Sequence, residues 1–331
     1  MTGLDDAQWA LAALLHETLP ALLPPARLAA ILDADTDEDP ASWRCLTETG
    51  VLDLAVPVAG GGAGEGVLTL AVAAEEAGYA AVPGGFLGHV LATLTVDPGG
   101  RRATVALGQV LPDARRLTGT VPFVPGGHAA ELVVVATAAG LSVVDLRAGG
   151  ALVEGAGGVD PTRRLGTLVL DGAAHEPLPG GPARVGWLVD AARVLLAADA
   201  HGGARRCLDL AVAHARDREQ FGRPIAGFQA VRHQLADLAT AIAPGRGLYR
   251  LAAGHLDSGA DRAHTAAALA KAHLSEVFLT AARDCVRLHG ALGYTWDGPV
   301  NPWVGRALFD HALHGTPATL RRIVADGLGW G

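Results

Sequence analysis

Apolar positions follow three successive patterns along the chain. Over residues 1–98 they recur at helical spacing: Trp9, Leu11, Leu14, Leu15 and Leu19 form one stripe, which Pro20, Pro24 and Pro25 are expected to stop. Trp43, Leu46 and Val51 continue the apolar face, and Gly50 stands where a helix-ending glycine belongs. A further helix is predicted over 68–79, with Glu75 and Glu76 near its end. Between 99 and 178 the pattern shortens to β-branched runs at 103–107, 117–124, 132–136, 141–146 and 165–170, with Ala139-Gly140 as a hairpin tip. Such a set of strands predicts a small antiparallel barrel or sandwich. After a proline-rich linker, residues 183–331 carry long helical patterns at 183–216, 228–256, 261–289, 302–313 and 317–328, the second interrupted at Pro244-Gly245. Their many alanines suit close packing in a bundle.

Composition narrows the function classes. Half of the 331 residues are apolar and 18% are charged, which fits two or three packed domains. A net charge of −8 argues against a nucleic-acid footprint. No charged-then-apolar leader and no apolar run of membrane-spanning length are evident, so a cytoplasmic protein without a membrane partner is expected. Cys45, Cys207 and Cys285 lie far apart with no CxxC spacing and read as buried residues in a reducing compartment. Among the 13 histidines, His311 and His314 share a helix face, but no carboxylate or cysteine completes a metal-ligand set, and none is assigned. The glycine-rich loop 57–66 lacks both GxxxxGK[ST] and a GxGxxG register, and reads as a helix–helix connection.

The densest chemistry lies at 215–229. Arg218, Gln220 and Phe221 close one long helix, Gly222 and Pro224 break it, and Ile225 and Gln229 lead into the next. Taken alone these residues fit either a charge-matched helix end or a grip on an anion beside a flat ring.

This run resembles the RxQFG…Q signature of the acyl-CoA dehydrogenase family. The stretches ETGVLDLAVPVAGGGAG (48–64), AEEAGY (74–79), LTGTVPFVPGGHAAELVVVA (117–136) and VRLHGALGYTWDGPVNPWVGRALFDHALHGTPATLRRIV (286–324) are similar to other blocks of that family. The resemblance implies an N-terminal all-α domain, a shortened middle β-barrel domain and a C-terminal four-helix bundle, with FAD as cofactor. It also implies that Arg218, Gln220, Phe221, Ile225 and Gln229 reach across an interface to the adenosine-pyrophosphate half of a neighbour's FAD, joined by Arg287, Leu288 and Ala291. Arg287 replaces a usual glutamine, and Ala291 replaces the second glycine of a pair.

The departures are as informative. The family's catalytic glutamate would fall at His314 or, in another branch, at Ala192 ahead of Arg193, so no catalytic residue is assigned. The hydroxyl-bearing flavin strands correspond here to 104–116 and to Phe123-Val124-Pro125, which keep little of that pattern. The expectation is a non-basic subunit of an α2β2 enzyme. A longer partner would carry the glutamate and most of the FAD site, the substrate would be an acyl-CoA with a bulky steroid-type side chain, and electron-transfer flavoprotein would be the acceptor. The alternatives are a flavin-free scaffold subunit and a homomeric flavoenzyme using His314.

Overall fold

The computed structural model describes residues 3–330 except 35, 37, 296 and 297; Trp296 and Asp297 of the C-terminal block therefore lie outside the described residues. Helix α1 (Asp6–Leu22) starts on a capping box, in which the Asp5 carboxylate accepts the Gln8 amide at 2.8 Å and the Gln8 side chain accepts the Asp5 amide at 3.2 Å. Pro20 does not stop this helix. It sits in the last turn, where its ring forfeits a single ladder bond and its fixed φ remains helical. Leu15 and Leu19 are buried, whereas Trp9 and Leu14 stay about half exposed, so the apolar stripe is narrower than its spacing suggests.

Helices α2 (Pro25–Asp33) and α3 (Pro40–Glu48) follow, and Gly50 takes the left-handed conformation just past α3, as expected. The loop 57–66 connects α3 to α4 (Val67–Tyr79), which is buried almost throughout. The first amides of α4, at Val67 and Leu68, donate to the Asp257 carboxylate at 2.7 and 3.0 Å, so a residue 190 positions away caps it. Helix α5 (Phe86–Thr93) ends the helical region.

The strands are β1 (Ala103–Leu111), β2 (Leu117–Pro125), β3 (Leu132–Thr137), β4 (Gly140–Asp145), β5 (Ala151–Gly157), β6 (Leu165–Ala173) and β7 (Glu176–Pro177). They form two sheets, ordered β1-β3-β4-β7 and β2-β6-β5. The β1–β3 pair is parallel because β2, which separates them in sequence, belongs to the other sheet. Alternation along β3 explains its unbroken apolar run: Val133 and Val135 join the core between the sheets, while Leu132 and Val134 join the helical core. The β3–β4 hairpin turns at 138–139, one residue before the expected tip, and Gly140 opens β4 with φ +138°. Strand β5, rich in glycine and alanine, was not legible as a strand.

The C-terminal region comprises α6 (Ala183–Asp217), a short ribbon β8 (Glu219–Gln220) and β9 (Arg223–Pro224), α7 (Gln229–Ile242), α8 (Gly245–Ser258), α9 (Ala263–His289), α10 (Asn301–Ala312) and α11 (Pro317–Gly327). The break between α7 and α8 falls at Pro244-Gly245, where it was expected. Helix α6 packs backbone to backbone on α4: a Cβ at Gly202 would lie 1.8 Å from the Glu75 carbonyl oxygen, and one at Gly78 would lie 2.1 Å from that of Asp199. Two glycines thus seat the N-terminal helices directly on the bundle.

Candidate functional site

The corner after α6 is built by a reversal with left-handed backbone. Phe221 (φ +54°) and Gly222 (φ +77°) occupy the tip, and Gln220 pairs with Arg223 across the ribbon. Two successive positive φ values match the twist of a tight hairpin, which glycine adopts freely and phenylalanine does not. The Phe221 ring is nevertheless 93% exposed. The Arg218 amide donates to the His214 carbonyl and its carbonyl accepts the Ile225 amide, each at 2.8 Å, so the backbone of Arg218 is fixed at both ends.

Its side chain is not. Among the described residues the Arg218 guanidinium and the Gln229 amide make no hydrogen bond or ion pair, and the Gln220 side chain donates only to the neighbouring Glu219 carbonyl, at 2.7 Å. Arg223 is engaged, lying 4.1 Å over the Phe228 ring, which meets Phe221 edge-on at 6.1 Å. The imidazoles of His214 and His289 stack at 4.1 Å and tie the end of α6 to the end of α9, which places Arg287, Leu288 and Ala291 at the same end of the bundle. Ala291 is exposed and Leu288 partly buried. Arg287 pairs with Asp284 and, with Arg283 and Tyr294, lines a cavity of about 620 Å³. A fixed backbone here carries an unpaired guanidinium, an available amide at Gln229 and an exposed aromatic ring, groups that suit an anion beside a flat ring.

A second region surrounds His314. Leu107 of β1, Phe123 of β2, Val159, Val189 of α6, Phe309 of α10 and Leu313 wall a cavity of about 470 Å³ with Arg193 and His314. Ala192 is fully buried and lines only a remnant of about 20 Å³ further in. No aspartate or glutamate lines either space. Burial, with the Lys271 and Arg193 charges nearby, pushes the His314 imidazole down to about 4, so it is neutral near pH 7. Its carbonyl accepts Arg193 Nε at 3.1 Å, and Arg193 also donates to Asp190 at 2.8 Å. Pro125, the last residue of β2, pairs in register with Leu165, and its carbonyl takes the Thr104 hydroxyl at 2.6 Å. That hydroxyl, on the strand corresponding to the family's flavin-holding one, is thereby committed internally.

The sequence reading missed a third group. Arg163 is buried and donates to Asp160 at 2.7 Å, to Asp199 at 3.2 Å and to Asp310 at 2.8 Å; Arg306 donates to both oxygens of Asp199 at 2.6 and 3.0 Å and to the Val82 carbonyl at 2.9 Å. Lys271 donates to the carbonyls of Asp310 and Gly315. Burial and the adjoining Asp199 carboxylate push Asp310 well above the usual carboxylate range, whereas Arg163 and Arg306 overcome burial to hold Asp199 below it. The cluster joins the β region, α6, α9, α10 and the N-terminal helices.

Three layers of helix, sheets and helix define an acyl-CoA dehydrogenase fold, and the chain belongs to the acyl-CoA dehydrogenase family. Residues 8–101 match the family's N-terminal domain and residues 180–329 its C-terminal domain. The chain is similar to acyl-CoA dehydrogenase IpdE2 of Mycolicibacterium smegmatis, with 34% identity over 95% of this chain and 97% of that one. Of solved structures, the Tcur3481-Tcur3483 steroid ACAD variant superposes with a TM-score of 0.89 at 29% identity, covering 98% of each chain. The ChsE4-ChsE5 complex from Mycobacterium tuberculosis does so with 0.89 at 27%, covering 100% of each. Members of the family are FAD-binding oxidoreductases. No helix among the described residues is long and apolar enough to cross a membrane.

Proposed function

We propose that this chain is the non-basic subunit of a heteromeric, cytoplasmic acyl-CoA dehydrogenase, which completes a FAD site carried mainly by a longer partner. One contrast carries the reading: the Arg218 guanidinium and the Gln229 amide stand uncommitted on an exposed corner, while the chain's own cleft offers no carboxylate. When bound, FAD accepts the hydride lost from the acyl β-carbon. The partner's glutamate would take the α-proton, a task for which a positioned base contributes roughly 10²–10⁴-fold. In this chain Arg218, Gln220 and Gln229 would hold the pyrophosphate, Phe221 and Ile225 would cover the adenosine side, and Arg287, Leu288 and Ala291 would close the adjoining wall.

Two of the solved relatives are named as pairs, Tcur3481-Tcur3483 and the ChsE4-ChsE5 complex, which supports a heteromer. So does FadE34 of Mycobacterium tuberculosis: 86% of this chain aligns at 35% identity with only 42% of FadE34, which leaves room there for a second unit. The steroid ACAD among these relatives supports a bulky acyl-CoA substrate; electron-transfer flavoprotein would be the acceptor, as the family resemblance implies.

Co-expression with the longer partner tests the reading. The expected product is a yellow α2β2 complex with one FAD per heterodimer. Arg218→Ala should weaken FAD retention by roughly 10- to 100-fold, the cost of one charge-assisted hydrogen bond. A colourless but stable complex would favour a flavin-free scaffold. A chain that is yellow and active alone would favour the homomeric enzyme using His314.

A further inference from the structure

We propose that the cleft at His314 is a non-catalytic binding site for a compact apolar molecule bearing a neutral carbonyl oxygen, which the His314 imidazole N–H holds. The proposal takes from the completion reading only that no flavin ring occupies this cleft.

Size and shape come first. A cavity of about 470 Å³ lies within the roughly 300–1,000 Å³ typical of small-molecule sites. Its walls are apolar yet open, with Phe123 58% and Val159 53% exposed. The space does not run deep, because the remnant beyond it, at Ala192, Leu195 and Leu196, holds about 20 Å³, room for roughly one water. A long acyl chain has nowhere to go, whereas a broad, short molecule does.

Backbone strain is the second observation. Non-glycine residues with positive φ among the described residues are Ala81, Phe123, Phe221 and His314, and two of these, Phe123 and His314, line this one cavity. Bulky residues keep that conformation only where their surroundings dictate it, and such residues gather at ligand sites.

The third observation sets the ligand's polar group. The His314 ring has no hydrogen-bond partner among the described residues. Arg193 is committed to Asp190 and to the His314 carbonyl, and Lys271 to two backbone carbonyls. Neither cation is left to neutralise a ligand's charge. A neutral carbonyl oxygen needs only the imidazole N–H, whereas a carboxylate would need a cation with donors still free, and the cleft offers none, which points to a ketone or ester.

The test uses the purified heteromeric complex with the partner's acyl site saturated by a CoA thioester product. Tritiated progesterone, a rigid four-ring diketone, is the probe, and labelled decanoate is the linear, charged control. The expected result is one progesterone per copy of this chain, with decanoate binding at least tenfold more weakly. Val189→Trp, which fills the cleft, should abolish binding. His314→Phe should weaken it about tenfold, the loss of one buried hydrogen bond, while His314→Asn, which tolerates left-handed backbone and still donates, should retain it within about threefold. Turnover should stay within about twofold in all three variants. Absence of progesterone, preference for decanoate, or binding indifferent to Val189→Trp and His314→Phe would overturn the proposal while leaving one FAD per heterodimer intact. A second FAD per heterodimer, lost on Val189→Trp, would instead overturn both this proposal and the completion reading.

Discussion

Arg163 and Arg218 are the same side chain in opposite settings. Arg163 lies at 3% exposure among three aspartates, with its donors directed at carboxylates or a backbone carbonyl. Arg218 stands on an exposed corner with its backbone pinned and its guanidinium unpaired among the described residues. A buried charge must be matched where it lies, because desolvation would otherwise cost several kcal/mol, on the order of the protein's whole stability. An exposed cation carries no such obligation and stays available to a ligand. The middle of the molecule therefore shows what holds the fold together, and the corner shows which groups remain available to a ligand.

The largest expected effect is at Arg163. Arg163→Met keeps the stem but leaves Asp160, Asp199 and Asp310 short of a counter-charge, and should destabilise the chain by about 3–5 kcal/mol, read by urea unfolding of the complex. A cost under about 1 kcal/mol would mean that the cluster is dispensable and that the contrast with Arg218 is one of exposure only.

Acid should erode the same buried framework. Burial pushes His89, His201 and His314 down to about 4. Between pH 6.5 and 4 the unfolded chain takes up protons that these folded imidazoles refuse. Stability is therefore complete above about pH 6.5 and falls with pH through that window, by up to about 1.4 kcal/mol per unit for each histidine. Glu75 continues the trend. Burial alone would raise it, but the His201, Arg246 and Arg205 charges hold it at about 2, so its contribution is lost as pH falls from 4.5 towards 2. Asp310 acts with opposite sign, since its raised carboxyl contributes stability at low pH that is lost as pH climbs past it. Unfolding midpoints measured at half-unit steps from pH 7 to 4 should decline continuously. A flat profile over that range would contradict the placement of His89 and His201 as buried, neutral imidazoles.

Arg218→Ala sharpens the comparison from the other side. Its unfolding free energy should match wild type within about 0.5 kcal/mol, as for other surface substitutions, even as FAD retention drops. Loss of both together would mean that the corner is structural.

Much of the fold was legible in the sequence. Helical spacing gave α4, α6 and α9 nearly to the residue, and the glycine, proline and arginine pattern gave the corner, because caps, breaks and stripes are local. Pro20 was misread because a proline in a last turn forfeits only one bond, a cost that packing of Leu15 and Leu19 overrides. Strand β5 has no β-branched run to mark it. The buried cluster was invisible for a different reason: Asp199 and Lys271 sit in alanine-rich helices, and nothing local says that a lone charge there will meet Arg163 or Asp310 from distant elements. A charge isolated within a long apolar helix was the available signal. The cleft's closure at Ala192 likewise depends on side chains brought together only by the fold.

The smallest effect is the most discriminating. His314 occupies the position at which the resemblance expects a base, and if it served as one the two regions of the bundle would both be functional. A base must hold a proton at the end of the step, and an imidazole pushed to about 4 by burial, Lys271 and Arg193 is a poor receptor for one near neutral pH. Protonation would also add a third positive charge beside two cations already committed to carbonyls and to Asp190. His314→Ala should therefore leave kcat and KM of the heteromeric enzyme within about twofold of wild type, with no shift in the pH profile of kcat/KM. A drop of the size a general base contributes, roughly 10²-fold or more, would assign the proton transfer to this chain and make its cleft an active site.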